Sequence, residues 1–440
     1  MHQKKIWLCL LIVAVLVLTG CSIRTVDQMY QIPRRSEEDN NLQSIIDQTM
    51  SGLQYCAPLT GENQQTVQMA DLDGDGSQEY LLFAKSSSEI PLRILIYKEI
   101  EESFVHYDTI ESNGSAFDQV EYVQMDDRVG LELVVGRLVS DQVLRSVSIY
   151  SFAGGEAEQL LSTSYSKFLT IDLDGDSMTE LFVLRPGQTE TDSGIAELYG
   201  MDQGVMERSN EVNMSGPVDQ LKRILTGKLH NGEPAVYAAS AVGDTAVITD
   251  VYAHVGGLLA NVTFSNESGT SVQTMRNYYV YADDIDNDGV VELPQLLTML
   301  PVTEGRTADR HHLIRWYAMM ADGSEVTKLF TFHNFVGGWY LTLDSLWATQ
   351  LSVSAQGNQH DFYLRSPDSE ESQKILTVYT LTGQNREEQS TQEGRIVLHK
   401  SDSVIYSASL QPESDAFGIT QENVIRAFHL IQQDWKTGET

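Results

Sequence analysis

Three stretches of the chain set carboxylates at alternate positions, with Leu or Ile and then Gly or Asn between them. They are Asp71-Leu-Asp-Gly-Asp-Gly-Ser-Gln-Glu79, Asp172-Leu-Asp-Gly-Asp-Ser-Met-Thr-Glu180 and Asp284-Ile-Asp-Asn-Asp-Gly-Val-Val-Glu292. A tight loop of this kind turns positions 1, 3 and 5 toward one point. A main-chain carbonyl at position 7 joins them, and an acid at position 9 closes the shell. The carboxylates are then Asp71, Asp73, Asp75 and Glu79; Asp172, Asp174, Asp176 and Glu180; and Asp284, Asp286, Asp288 and Glu292. Position 7 is Ser77, Met178 or Val290, which offers only its carbonyl. Calcium takes roughly 6–8 oxygen ligands at about 2.3–2.6 Å in flexible geometry, which suits such a set. Four like charges this close repel strongly unless a cation neutralises them. The expected chemistry is binding of up to three calcium ions.

The loops recur in step with β structure. Their first aspartates lie 101 and 112 residues apart, about twice the roughly 40–50-residue period of a propeller blade. A degenerate copy stands in the first gap: Gln124-Met-Asp126-Asp-Arg128-Val-Gly130-Leu-Glu132 keeps positions 3 and 9 but has Gln124 and Arg128 where two carboxylates belong. It is not expected to bind metal. In the second gap Lys228-Leu-His-Asn-Gly-Glu-Pro precedes the strand-like Ala235-Val-Tyr-Ala, and position alone supports it. About four β runs separate successive loops: Tyr80–Ala84, Leu92–Tyr97, Phe104–Ile110 and Val120–Met125, then Leu133–Val139, Ser146–Phe152, Gln159–Ser164 and Phe168–Leu173. Four short antiparallel strands per unit is the make-up of a propeller blade. The third loop leads into Leu293, where Pro294 is expected to interrupt the strand.

An EF-hand needs Glu at position 12 and a helix after the loop. Position 12 is Leu82, Val183 or Gln295, and a β run follows, so that motif is excluded. The pattern resembles instead the FG-GAP or VCBS repeats of integrin-α-like β-propellers, over about residues 60–300 and most tightly in the three loops. The resemblance implies a mainly β fold of four-stranded blades, between five and seven of them. It implies ions that brace loops between strands, with affinities suited to millimolar extracellular calcium.

The elements that must carry these loops begin near residue 41. Before them, Lys4 and Lys5 precede an apolar run from Ile6 to Leu18 and the sequence Leu18-Thr19-Gly20-Cys21. A basic end, a short apolar stretch and small residues before a cut site make a signal peptide. The last four residues resemble the lipobox of bacterial lipoproteins, which implies cleavage after Gly20 and a diacylglycerol on Cys21. An uncleaved helical anchor is the alternative. Residues 1–20 then form the signal, 21–40 a lipidated tether, 41–345 the propeller with a short helix over 41–53, and 346–440 an α+β region or closing cap. That last stretch is expected to hold strands at Asp361–Leu364, Lys374–Leu381, Arg395–His399 and Val404–Leu410. A helix is expected over Thr420–Trp435, with Val424, Ile425, Phe428, Ile431 and Trp435 on one face.

The chain carries 29 Lys+Arg against 62 Asp+Glu, a formal charge of −33. Such a body repels phosphate backbones, which argues against a nucleic-acid partner. With Cys9 lost in the signal and Cys21 lipidated, Cys56 has no partner and reads as a small buried apolar residue. There is no His-Glu-x-x-His, G-x-S-x-G or phosphate-binding glycine loop, and His311-His312 reads as an exposed β segment. Trp316, Trp339, Tyr340 and Trp347 are either a sugar-stacking surface or core aromatics. These observations favour a membrane-anchored, extracytoplasmic binding or scaffold module for an envelope protein or a glycan. A carbohydrate-active hydrolase or lyase built on a propeller is the alternative.

Overall fold

The computed structural model describes residues 44–101, 103–139, 144–189, 192–302, 312–365, 371–392 and 394–431. The expected signal, lipobox with Cys21 and tether, together with His311 and Trp435, lie outside them. The fold is mainly β, a β-propeller built from antiparallel sheets that follow one another in chain order, six among the described residues.

The first sheet combines β1 (Gln54–Tyr55), β2 (Val67–Ala70), β3 (Glu79–Lys85), β4 (Leu92–Ile100) and β5 (Ser103–Ser112), with β1 and β2 sharing one edge of β3. The second holds β6 (Ala116–Val123), β7 (Glu132–Leu138), β8 (Arg145–Ser151) and β9 (Glu158–Tyr165) in that order. The third is β10 (Lys167–Ile171), β11 (Glu180–Arg185), β12 (Ile195–Asp202) and β13 (Val205–Asn213). The fourth is β14 (Leu221–Lys228), β15 (Pro234–Val242), β16 (Ala246–Val255) and β17 (Leu258–Asn261). Every strand expected between the first two loops is present, with ends shifted by a few residues.

Burial follows from stacking. A middle strand covered on both faces needs a near-continuous apolar run. Strand β3 (Glu-Tyr-Leu-Leu-Phe-Ala-Lys) buries four consecutive residues, and β11 buries five. The outermost strands are polar and exposed, as in β13, which blunts the free edge of its blade. Aromatic pairs join one sheet to the next. Phe83 meets Phe117 at 5.1 Å, Tyr165 meets Phe168 at 4.9 Å, Phe182 meets Tyr252 at 5.2 Å, and Phe332 meets Phe362 at 5.0 Å between ring centroids. Cys56 is a free, half-buried thiol at the margin of the core between the first two sheets.

The C-terminal part departs from expectation at two points. The fifth sheet runs β18 (Glu292–Leu297), β19 (His312–Met319), β20 (Glu325–Asn334) and β21 (Trp339–Leu343). Pro294 does not interrupt β18 but pairs with Trp316. That strand lies at the end of its sheet, where a missing N–H removes no ladder bond on the open side. The sixth sheet contains β22 (Leu351–Gln356), β23 (Gln359–Arg365), β24 (Ser372–Thr382), β25 (Arg395–Lys400) and β26 (Val404–Leu410), so all four expected strands form. The expected helix over Thr420–Trp435 is shorter. It covers Gln421–Ala427, capped by Thr420, whose side chain accepts from the Asn423 N–H, and Phe428–Leu430 then forms β27 against β21. Phe428 is buried beside Trp339 and Tyr406, while Ile425 is exposed. The unpaired edge of β21 and the aromatic pocket behind it override local helical periodicity.

Because Phe182 is fully buried in the seam between the third and fourth sheets, Phe182→Ala is expected to destabilise the fold by about 3–5 kcal/mol. Urea unfolding measures it, and a loss below about 1 kcal/mol would mean that this seam does not carry the stacking.

Candidate metal centre

Each acidic loop leads directly into a strand that starts at its position-9 glutamate. The first (71–79) links β2 to β3 and the second (172–180) links β10 to β11. Before the third (284–292) the first strand is reduced to one bridge, Asp283 to Glu292. The degenerate copy sits between β6 and β7, and Leu229–Glu233 makes the corresponding tight turn between β14 and β15, so the weakly marked fourth unit is real.

The loops share a built framework. At position 2 an apolar side chain plugs the sheet: Leu72, Met125, Leu173 and Leu229 are buried, and Ile285 is half-buried. The N–H of that residue donates to one oxygen of the position-9 glutamate. The bonds are Leu72 to Glu79 (2.8 Å), Met125 to Glu132 (2.9 Å), Leu173 to Glu180 (2.7 Å) and Ile285 to Glu292 (3.1 Å). The position-1 aspartate closes the turn by accepting two N–H groups. Asp71 takes Gly74 and Gly76, Asp172 takes Gly175 and Ser177, and Asp284 takes Asp288 and Gly289. Positions 4 and 6 both lie at positive φ in all three loops, which is why glycine dominates there; Ser177 and Asn287 are the exceptions, at 76° and 61°.

Neighbouring loops are coupled. The carbonyl of Asp71 accepts from Leu131 (3.1 Å), that of Gln124 from Thr179 (2.8 Å), and that of Lys228 from Val291 (3.1 Å). In each case position 1 of one unit holds position 8 of the next. The approach is close enough that a Cβ on Gly130 would stand 2.4 Å from the Leu72 carbonyl oxygen. The acidic loops therefore occupy equivalent places along one side of the array.

Three trios of carboxylates converge with their ligand atoms within 4.8 Å of one another: Asp71, Asp73 and Glu79; Asp172, Asp174 and Glu180; Asp284, Asp286 and Glu292. These are positions 1, 3 and 9, and all three trios could hold a metal ion. The position-5 residues Asp75, Asp176 and Asp288 stay exposed, each accepting the N–H of position 7 (Ser77, Met178 or Val290) at 2.7–2.9 Å. The donor set is all oxygen, which fits a hard cation. A second feature fits it too. Glu292 is fully buried with no hydrogen-bond donor at its Oε1, and Glu79 is fully buried with only the Lys98 ammonium, 3.5 Å away, facing its Oε1.

Sequence reasoning missed two cations here. Lys98 of β4 reaches into the first loop, in contact with Asp73, 2.7 Å from Asp75 Oδ2 and 3.5 Å from Glu79 Oε1. Lys328 of β20 contacts Asp288 and lies 3.9 Å from Asp286. A sequence signal existed. A tyrosine pairs with the residue after each position-9 glutamate (Tyr97, Tyr150, Tyr199 and Tyr317), and a β-bulge occurs at each. The residue after that tyrosine is Lys98, Ser151, Gly200 or Ala318. In the degenerate copy Arg128 binds Asp126 through Nε at 2.7 Å. The aromatic group singled out in the sequence is core: Trp316, Trp339 and Tyr340 are buried and Trp347 is half-buried.

No protein-family model matches the chain, and no curated protein matches it by sequence. Among solved structures, the Sqt1 protein of Chaetomium thermophilum is 9% identical, with 79% of this chain and 97% of that one covered at a TM-score of 0.31. The β-propeller domain of the Trilobed protease from Pyrococcus furiosus is 12% identical (72% and 89% covered, TM-score 0.28). The Bacillus licheniformis rhamnogalacturonan lyase is 13% identical (73% and 72% covered, TM-score 0.29). Likeness at this level says nothing of this chain's ligand.

The electrostatics give a signature. Burial pushes Glu180 up to about 7 and Glu292 up to about 8, and the loop aspartates add to both shifts. A carboxyl whose pKa is raised in the fold contributes stability while protonated, and loses it as pH rises through the folded pKa. With chelator present, the melting temperature is expected to fall from about pH 5 to about pH 8 as Glu180 and then Glu292 ionise. Thermal melts across that window check this; a flat or rising profile counts against it.

Proposed function

We propose that the chain is a lipid-anchored, extracytoplasmic calcium-binding propeller that serves as a binding or scaffold module for an envelope protein or a glycan. The observation that carries the calcium part is the convergence of three acidic trios at equivalent places in the fold. Oxygen-only ligands on a loop that tolerates several coordination numbers suit calcium better than magnesium, which demands a near-ideal octahedron. Asp71, Asp73 and Glu79, with their counterparts in the other two loops, would hold the ions, and the ions would neutralise carboxylates that the sheet buries.

The anchor rests on the sequence Leu18-Thr19-Gly20-Cys21 after a basic and apolar N-terminus. Among the described residues no helix is long and apolar enough to cross a membrane. The binding role rests on the formal charge of −33 and on loops displayed along one side of a stacked β body. A screen of glycans and envelope proteins, run with and without chelator, tests that role; a protein that retains none of them in either condition would argue against it.

Ions that bind only the native state must raise its stability. Chelation is therefore expected to lower Tm, and at calcium about 100-fold above Kd the stabilisation from one site is about 2.7 kcal/mol. A thermal scan indifferent to EDTA would count against all three sites. Cys21→Ser is expected to move the protein from the membrane to the soluble fraction. Continued retention would favour an uncleaved anchor.

A further inference from the structure

We propose that Lys98 and Lys328 are tethered counter-ions that hold the first and third loops in shape and set their divalent-ion affinity below that of the second. This rests on the calcium reading and adds a ranking among its sites.

The three loops are near-copies in backbone but not in charge. At the first, the Lys98 ammonium touches Asp73, Asp75 and the buried Glu79 together. Its side chain is only 14% exposed, and its Nζ lies 5.6 Å from the centre of the Tyr107 ring, which closes the other side. At the third, Lys328 is the extra residue of the β-bulge, between Thr327 and Leu329, which pair with Tyr317 and Trp316. It meets Asp288 and approaches Asp286, and it leaves Glu292 Oε1 without a donor. At the second, the residue that corresponds to Lys98 is Gly200, and a Cβ there would already stand 3.4 Å from the Glu180 side chain. The bulge residue corresponding to Lys328 is Ser209, whose hydroxyl donates to the Leu198 carbonyl. No basic side chain makes a salt bridge with Asp172, Asp174, Asp176 or Glu180 among the described residues.

The degenerate copy shows the limit of the series. Two ligand positions have become Gln124 and Arg128, and the guanidinium pairs with Asp126 inside the loop. Its glutamate keeps the same clamp on the position-2 N–H, and Ser151 donates to its second oxygen at 3.3 Å. An internal cation is thus compatible with the complete loop framework. An ammonium seated among the ligands must be displaced before a divalent ion can enter, because two cations at this separation repel. The contacts rank the loops: the second is free, the third partly covered, and the first covered most.

Calorimetric titration of the full-length protein in detergent with calcium chloride tests this, with terbium luminescence as a second readout. Wild type is expected to show one dominant site that D174N removes. K98M and K328M are each expected to add a site with affinity raised by about tenfold or more, whereas K98R and K328R should match wild type. Three equal sites in wild type, unchanged by K98M and K328M, would overturn the proposal and leave the calcium reading standing. No binding in any variant would overturn both. D174N leaves both lysines untouched and guards against misfolding of the lysine variants. Its calcium-dependent rise in Tm should drop to a small fraction of the wild-type rise, and an undiminished rise would also overturn the ranking.

Discussion

A buried glutamate at the start of the strand that follows each loop is the constraint on which the rest of the structure depends. Glu79, Glu132, Glu180 and Glu292 are all buried, and each accepts the N–H of the residue that plugs the sheet at position 2. A carboxylate taken out of water is costly unless it is paired and hydrogen-bonded. One oxygen is satisfied by the backbone in every case. The other must find a cation or a donor, and the units differ in how they supply it: Lys98 in the first and Ser151 in the second, whereas Oε1 of Glu292 in the fifth has no hydrogen-bond partner among the described residues. The loop is therefore a structural clamp first and a ligand set second. This explains why the degenerate copy retains Asp126 and Glu132 after losing two acids.

The clamp also explains how the sheets are kept in step. A loop whose position-1 carbonyl receives the N–H of the following unit fixes the offset between blades, and the aromatic pairs in the seams fill the space that this offset defines. The recurrent bulge at Tyr97, Tyr150, Tyr199 and Tyr317 adds local twist, and in the first and second sheets it sits beside the residue that answers the glutamate, Lys98 or Ser151. Geometry and charge are thus set by the same few positions. A change at the loop should be felt in the neighbouring seam as well as at the carboxylate trio.

Much of this was legible in the residues because it is local. Alternating aspartates, the glycines between them and the apolar run after Glu79 or Glu180 all report on contiguous backbone, so loops and strands could be placed within a few residues. What escaped was non-local. Lys98 lies 25 residues from Asp73 and Lys328 lies 40 from Asp288, and only strand register brings either pair together. Pro294 looked like a break because its place at a sheet end cannot be seen from its neighbours. Phe428 looked helical because its spacing from Val424 is helical, yet the exposed edge of Trp339–Leu343 offered a better use for its backbone and its ring. The fourth unit was nearly invisible, since its turn keeps the plug residue Leu229 and no acidic trio.

The unequal charge of the loops has a thermodynamic consequence for the array. Where a lysine supplies the cation, the clamp is complete in the chain itself and its stability does not depend on the medium. Where no basic side chain answers the trio, stability would be linked to the concentration of any ion held there. If the proposed ions bind, such a chain braces its first loop internally through Lys98, while the second loop, which no basic side chain answers among the described residues, depends on them. The third sheet, with Gly200 in place of a lysine, is the part of the propeller so exposed. It is joined on one side to the self-sufficient second unit through the Gln124 carbonyl and on the other to the fourth sheet through Phe182 and Tyr252. Loosening of that middle clamp on loss of such an ion would reach the second unit and the fourth sheet through these contacts.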